Sequence, residues 1–212
     1  EQHRPIEAVL APGYDPISVT RRVSRVIEGI GGNFPPVVIS DRSNGDFEFD
    51  YSSLPDYIYI GKEDPENLPD NFRLLVDAHF WKDLPNAYPY FIASEVEEMA
   101  KYPNRLKFIR LAYPDLTERV IDILSKDKTV VVILSTHHRN GVASQRAALH
   151  RLMAAGCDVP VVLHHDYRET DIEALQLKSG ADFGTLLLDG FSDGIMSVSY
   201  THLRAHETDS YL

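Results

Sequence analysis

The run TVVVILS, Thr129 to Ser135, places five apolar residues in succession, a pattern that fits neither a half-exposed strand nor an amphipathic helix. Successive side chains on a strand point to opposite faces, so Val130 to Leu134 must bury both faces at once, as strands do in a parallel sheet covered on each side. Seven further short runs rich in Val, Ile, Leu and Tyr read as strands: VVIS (Val37 to Ser40), YIYI (Tyr57 to Ile60), RLLVDA (Arg73 to Ala78), YPYFIA (Tyr88 to Ala93), LKFIRL (Leu106 to Leu111), PVVLHH (Pro160 to His165) and GTLLLD (Gly184 to Asp189). The fourth in chain order, YPYFIA, is the weakest, because Pro89 has no N–H to give a ladder.

Helical spacing fills the gaps of the second half. From Pro114 to Lys126, Leu116, Val120, Ile123 and Leu124 share a face, with Pro114 suited to a first turn and Asp115 and Glu118 near the start where the helix dipole favours acids. From Gly141 to Ala155 a narrow stripe of Ala147, Ala148, Leu152 and Ala155 ends at Gly156, which can take the left-handed stop. A third helix is expected over Thr170 to Ser179, ended by Gly180. Crossovers this long imply parallel strands, and eight of them with helices between suggest a closed (β/α)8 TIM-barrel-like domain, small for that fold and irregular where the first crossovers are short and polar. An open doubly wound parallel sheet is the alternative.

A chain of 212 residues with 43% hydrophobic content can bury a real core. Its net charge of -11 would repel a phosphate backbone, so nucleic acid is not an expected partner. The single cysteine, Cys157, allows no intrachain disulfide and fits a reducing compartment, and it reads as a small buried residue. No run approaches the ~20 apolar residues of a membrane-spanning helix. A cytoplasmic protein without membrane or secretory segments is expected.

The end of the chain reads differently. Val198 to Thr208, VSYTHLRAHET, has no apolar period, and it matches the conceptual translation of the transposon-end adapter used in short-read sequencing libraries. Residues 197–212 are therefore expected to be non-native and disordered, with the natural protein continuing past Met196, and His202, Arg204, His206 and Glu207 are set aside as ligands.

The segment PVVLHHDYRETDIEALQLKSGADFGTLLLDGFSDGI, together with RLLVDAHFW, TVVVILSTHHRNGVASQRAALHRLMAAGCDVP and the opening PGYDPISVTRRVSRVIEGIGGNFPPVVISDRS, resembles the long, three-domain form of 4-hydroxy-3-methylbut-2-enyl diphosphate synthase, as in Bacteroidetes, Chlamydia and plants. The resemblance implies that residues 1–34 are a junction from an N-terminal catalytic barrel and that residues 35–196 form the inserted middle barrel-like domain. It also implies a parent that opens the ring of 2-C-methyl-D-erythritol 2,4-cyclodiphosphate reductively in the non-mevalonate isoprenoid pathway. That parent uses a 4Fe-4S cluster on three cysteines and a glutamate of a C-terminal domain, with electrons from ferredoxin or flavodoxin; a homodimer is among its expected assemblies. One cysteine cannot supply three thiolates, so no cluster ligand, catalytic residue or cofactor-binding residue is assigned to this chain. Arg21 and Arg22 are not promoted to phosphate ligands.

Some residues still invite a functional reading. His137 and His138 come after the sixth strand, and His164, His165 and Asp166 end the seventh. In a barrel they would reach the carboxyl-terminal rim, where a cation site of His138, His165, Asp166 and Asp189 is conceivable. Alternation sends one histidine of each pair to the helix layer, which favours rim hydrogen bonding instead. Gly190 and Gly194 in LLLDGFSDGI could cradle an anion, but Asp189 and Asp193 argue for a plain tight turn. Phe80 and Trp81 could be a contact for a neighbouring domain or core. Glu95, Glu97 and Glu98 read as a solvated helix face. Three functions are compatible with these features: a spacer domain without catalytic groups, an independent metal-dependent barrel enzyme using the rim His and Asp residues, and a protein-binding module anchored on Phe80 and Trp81.

Overall fold

The computed structural model describes residues 37–41, 56–67, 73–169 and 171–199; the expected junction 1–34 and residues 200–212 of the expected tail 197–212 lie outside them. Eight strands run in chain order around a closed barrel: β1 (Val37–Asp41), β2 (Tyr57–Gly61), β3 (Leu74–Asp77), β4 (Ala87–Ile92), β5 (Lys107–Leu111), β6 (Val130–Leu134), β7 (Val161–Tyr167) and β8 (Gly194–Ser199). Every neighbouring pair is parallel, and β8 closes on β1 through Val37↔Gly194 to Ser40↔Ser197. The closed barrel stands, and the open sheet does not.

From β2 to β8 the two faces of the strands serve different cores. Tyr57, Leu75, Tyr90, Phe108, Val131, Ile133, Val162 and Met196 fill the bore, tightened by tilted aromatic contacts such as Tyr57 with Phe108 at 5.3 Å between centroids. The outer face of β4 to β7 packs against helices α1 (Glu118–Lys126), α2 (Gly141–Ala154) and α3 (Ile172–Leu188) and a 3-10 helix, Ala93–Lys101. Val130 to Leu134 are all buried, as an unbroken apolar run demands. Over β2 to β4 a loop does the covering. Trp81 and Leu84 pack on Ile58, Ile60, Leu74, Val76 and Ala87, and the Trp81 indole donates to the Ala87 carbonyl at 3.0 Å. Trp81 thus belongs to the core, whereas Phe80 is half exposed.

Pro89 lies within β4 without breaking it. Leu75↔Tyr88 and Val76↔Pro89 pair on one side, but the ladder to β5 begins only at Tyr90↔Phe108, so the missing N–H falls before that ladder starts. Glu95, Glu97 and Glu98 lie on the 3-10 helix and are paired rather than merely solvated: Glu95 accepts from the Ile92 N–H at 2.9 Å and faces His79 at 2.8 Å, Glu97 meets Arg119, and Glu98 meets Lys101.

The eighth strand corrects the reading of GTLLLD. That run is the last turn and a half of α3, which continues through Gly180 to Leu188. Phe183 and Leu186 are buried on one side and Leu188 is exposed, a helical rather than an alternating pattern. The left-handed stop is Gly190 (φ 71), as it is at Gly156 (φ 66) for α2. The true closing strand comes after the turn. Asp193 is buried there, its carboxylate accepting from the Val161 N–H at 2.9 Å while its own N–H donates to the Val161 carbonyl at 2.7 Å. These two bonds fix where β8 enters beside β7. The strand runs on past Met196 through Ser197, Val198 and Ser199, because β7 is long enough to pair with all three and backbone pairing is indifferent to side-chain identity.

One charge lies in the outer core. Lys107 is fully buried, its ammonium 2.8 Å from Asp127 and 2.6 Å from the Thr129 hydroxyl. Burial pushes its pKa down, against the hydrogen bond to Asp127. For Asp127 burial pushes upward, but the hydrogen bonds from Lys107 and Thr129 outweigh it and hold the carboxyl below its usual range. Asp127→Ala should strand that ammonium and cost roughly 3 kcal/mol, the lower end for a broken buried pair because Asp127 is partly exposed. Urea unfolding of this variant and of Lys107→Met/Asp127→Ala checks it, the double variant recovering most of the loss.

Candidate functional site at the carboxyl-terminal mouth of the barrel

Alternation along β7 sorts its polar residues. Val162 faces the bore, and so do His164 and Asp166, whereas Leu163 and His165 face the helices. His164 sits beside Met196 in register, is 5% exposed, and has its Nε2 3.6 Å from the Asp166 carboxylate, too long for a strong hydrogen bond. Arg110, two residues after bore-facing Phe108 on β5, reaches the same mouth and is exposed. On the far side the Tyr59 hydroxyl donates to Asp77 at 2.7 Å. Burial is the main reason that the His164 pKa falls to about 4; Asp166 opposes this, and Arg110, His165 and His137 add to it. The mouth therefore presents a neutral imidazole at pH 7, flanked by one carboxylate and one guanidinium.

His165 does structural work. Gln145, buried in α2, donates through Nε2 to the Leu134 carbonyl (2.8 Å) and the His164 carbonyl (3.2 Å), tying the ends of β6 and β7 to the helix. Its Oε1 must then accept, so His165 Nε2, 2.8 Å away, carries the proton in the neutral ring. Nδ1 is left 3.9 Å from Asp182 of α3, whose carboxylate accepts from the Tyr167 hydroxyl at 3.1 Å. Burial lowers the His165 pKa as well, against the pull of Asp182 and Asp166. Gly141, the first residue of α2, makes this approach feasible: a Cβ there would lie 2.9 Å from Thr136 Cγ2 and 3.0 Å from His165 Cε1.

The four residues proposed for a cation are not gathered. His138 lies exposed in the loop after β6, where its Nδ1 accepts from the Asn140 N–H and Asn140 in turn caps α2 through the Ala143 N–H. His165 is in the helix layer, and Asp166 is at the mouth. Asp189 ends α3 at the opposite end of the barrel and pairs with Arg146 at 2.5 Å, because GTLLLD is helix and not strand. Among the described residues no group of three or more His, Cys, Asp or Glu is placed to hold a metal ion. The turn at Gly190 is occupied by the chain's own bonds. A cleft of about 730 Å³ lies away from the mouth, between the 3-10 helix and α1, lined by Val96, Met99, Pro103, Ile123, Lys126 and Lys128. Cys157 is 3% exposed in the turn from α2 to β7, and its N–H donates to Leu152. A lone buried thiol does not fit the several-thiolate donor set of an iron-sulfur cluster.

Gln145, Gly141, Arg110 and the Tyr59–Asp77 pair were not singled out from the sequence. Gln145 carried a usable signal, standing with Ala148, Leu149 and Leu152 on one face of α2, a polar residue on an otherwise apolar stripe.

A closed parallel barrel with a plugged bore and three covering helices defines a (β/α)8-type domain. The chain is 76% identical over 196 residues to the 4-hydroxy-3-methylbut-2-en-1-yl diphosphate synthase (flavodoxin) of Parabacteroides distasonis, a match that covers 92% of this chain and 32% of that protein. It is 38% identical over 196 residues to the protein of the same name from Phocaeicola vulgatus (92% and 32%) and 37% identical over 193 residues to that of Bacteroides fragilis (91% and 31%). The chain spans about a third of the length of the curated relatives it matches. No family model matches it, and no solved structure does. No helix among the described residues is long and apolar enough to cross a membrane.

The depressed histidine pKa values carry a pH signature. Because folding lowers them, His164 and His165 contribute stability above the unfolded value near 6.5, and it is lost as pH falls toward about 4 for His164. His164 accounts for up to about 3 kcal/mol of this loss. Urea unfolding at pH 7 and pH 4.5 should show a smaller acid loss in His164→Gln than in the unaltered chain; equal losses would exclude the assignment.

Proposed function

We propose that this chain is the inserted middle domain of a longer 4-hydroxy-3-methylbut-2-en-1-yl diphosphate synthase and acts as a spacer without catalytic groups. The observation that carries this is the 76% identity over 196 residues to about a third of a protein of that name. In this reading residues 1–34 are the junction from an N-terminal catalytic barrel, residues 35–196 the insert, and residues 197–212 foreign to it. The parent would open 2-C-methyl-D-erythritol 2,4-cyclodiphosphate reductively in the cytoplasm, with a 4Fe-4S cluster held elsewhere in the polypeptide and electrons from flavodoxin or ferredoxin. The relatives' printed names specify flavodoxin. The sole thiol of this segment, Cys157, is buried and cannot assemble such a cluster.

The physics of the mouth supports a spacer. Tyr57, Tyr90, Phe108 and Met196 pack together in the bore, and His165, one of the residues considered for a cation, is committed to Gln145. The rival reading, an independent metal-dependent barrel enzyme, required His138, His165, Asp166 and Asp189 to converge, and they are spread over three layers.

The test is made in the full-length synthase. Arg110→Ala, His138→Ala and Asp166→Asn alter only exposed groups of the mouth and rim, so each should leave turnover within a few-fold of the parent. A thousandfold loss in any of them, equivalent to ~4 kcal/mol of transition-state stabilisation, would mean that the domain contributes to the chemistry.

A further inference from the structure

The outward face of α3 is apolar although nothing in the described chain covers it. Leu177 is 70% exposed and Leu188 87%, and Ala181 and Gly184 lie between them on the same side, at i, i+4, i+7 and i+11. A large aliphatic side chain gains from burial, and two on one helix face are poorly accounted for by water. The glycines add a second oddity. Glycine within a helix is less favourable than alanine, yet a Cβ at Gly180 or Gly184 would meet nothing within 4 Å. No contact within the described chain requires them, whereas the close approach of another helix backbone would.

We infer that this face is a self-association surface, occupied by a second copy of the chain whose α3 packs antiparallel about a twofold axis between Ala181 and Gly184. The spacing of the four residues, four then three then four, reads the same in both directions. An antiparallel pair therefore sets Leu177 of each copy on Leu188 of the other, and Ala181 on Gly184, as a self-complementary twofold interface requires. Charge agrees. Lys178 and Asp189 flank the same side of the strip with side chains 52% and 42% exposed, and the antiparallel register brings Lys178 of one copy within one helical turn of Asp189 of the other, twice by symmetry. Their partners within the chain are Glu169 and Arg146, and both keep enough exposure for a second contact. One helix face lies at the small end of specific interfaces, so the dimer is weak, with Kd on the order of 10 µM.

Variants of the 212-residue chain with one added cysteine test the register. Leu177→Cys and Leu188→Cys change exposed side chains and leave the fold alone, as circular dichroism melts will verify, and Cys157 is buried and serves as the silent control. Within one helix the two positions are roughly 16 Å apart, so in an antiparallel dimer neither variant can bridge to itself. Mild oxidation of the two variants mixed at about 100 µM, well above that Kd, should give a covalent dimer absent from either alone. Gly184→Glu should abolish it and leave the chain monomeric in sedimentation velocity. Bridging in a single-variant sample, no bridging in the mixture, or a monomer at every concentration would overturn the inference; the last is the outcome expected when another part of a longer polypeptide covers this face.

Discussion

Everything in this domain stems from the need to bury both faces of parallel strands within a short chain. The bore takes one face of strands β2 to β8 and is filled by side chains, which is why aromatic residues from β2, β4 and β5 meet in it. The other face needs a cover. Where the chain affords helices, after β5, β6 and β7, they supply it; where the crossovers are short, the Trp81 loop must serve. Closure adds its own demand, because β8 has to find its place beside both β7 and β1. The paired bonds between Asp193 and Val161 meet it on the β7 side.

Seven of the strands could be read from local pattern because each is a short run rich in Val, Ile, Leu and Tyr. The eighth could not. GTLLLD is short, apolar and glycine-flanked, and in such a run the two periods are hard to separate. The deciding information lay outside it: Phe183 and Leu186 continue the inward stripe of α3, while GIMSVS has the small, mixed composition of a strand whose neighbours supply the bulk. The error propagated, since it carried Asp189 to the wrong end of the barrel and so into a cation site that does not assemble.

The mouth was legible in outline only. Alternation correctly separates His164 from His165, but which of the two turns inward depends on register, and register is a long-range property. Gln145 and Gly141 act through contacts with β6 and β7 far along the sequence. Their part in fixing the tautomer of His165 becomes visible only when α2 is laid across both strands.

The uneven cladding makes the barrel mechanically anisotropic. Around β5 to β7 the strands are backed by helices and tied by the Gln145 amide and the buried Lys107–Asp127 pair. Around β2 to β4 a single loop, stapled by the Trp81 indole and by the Arg105 guanidinium, which donates to the Ala87 carbonyl at 3.1 Å, stands in for that backing and offers less resistance to bending. Strain entering such a shell would be absorbed on the thin side, and whatever adjoins the thick side would be carried with it as a rigid body.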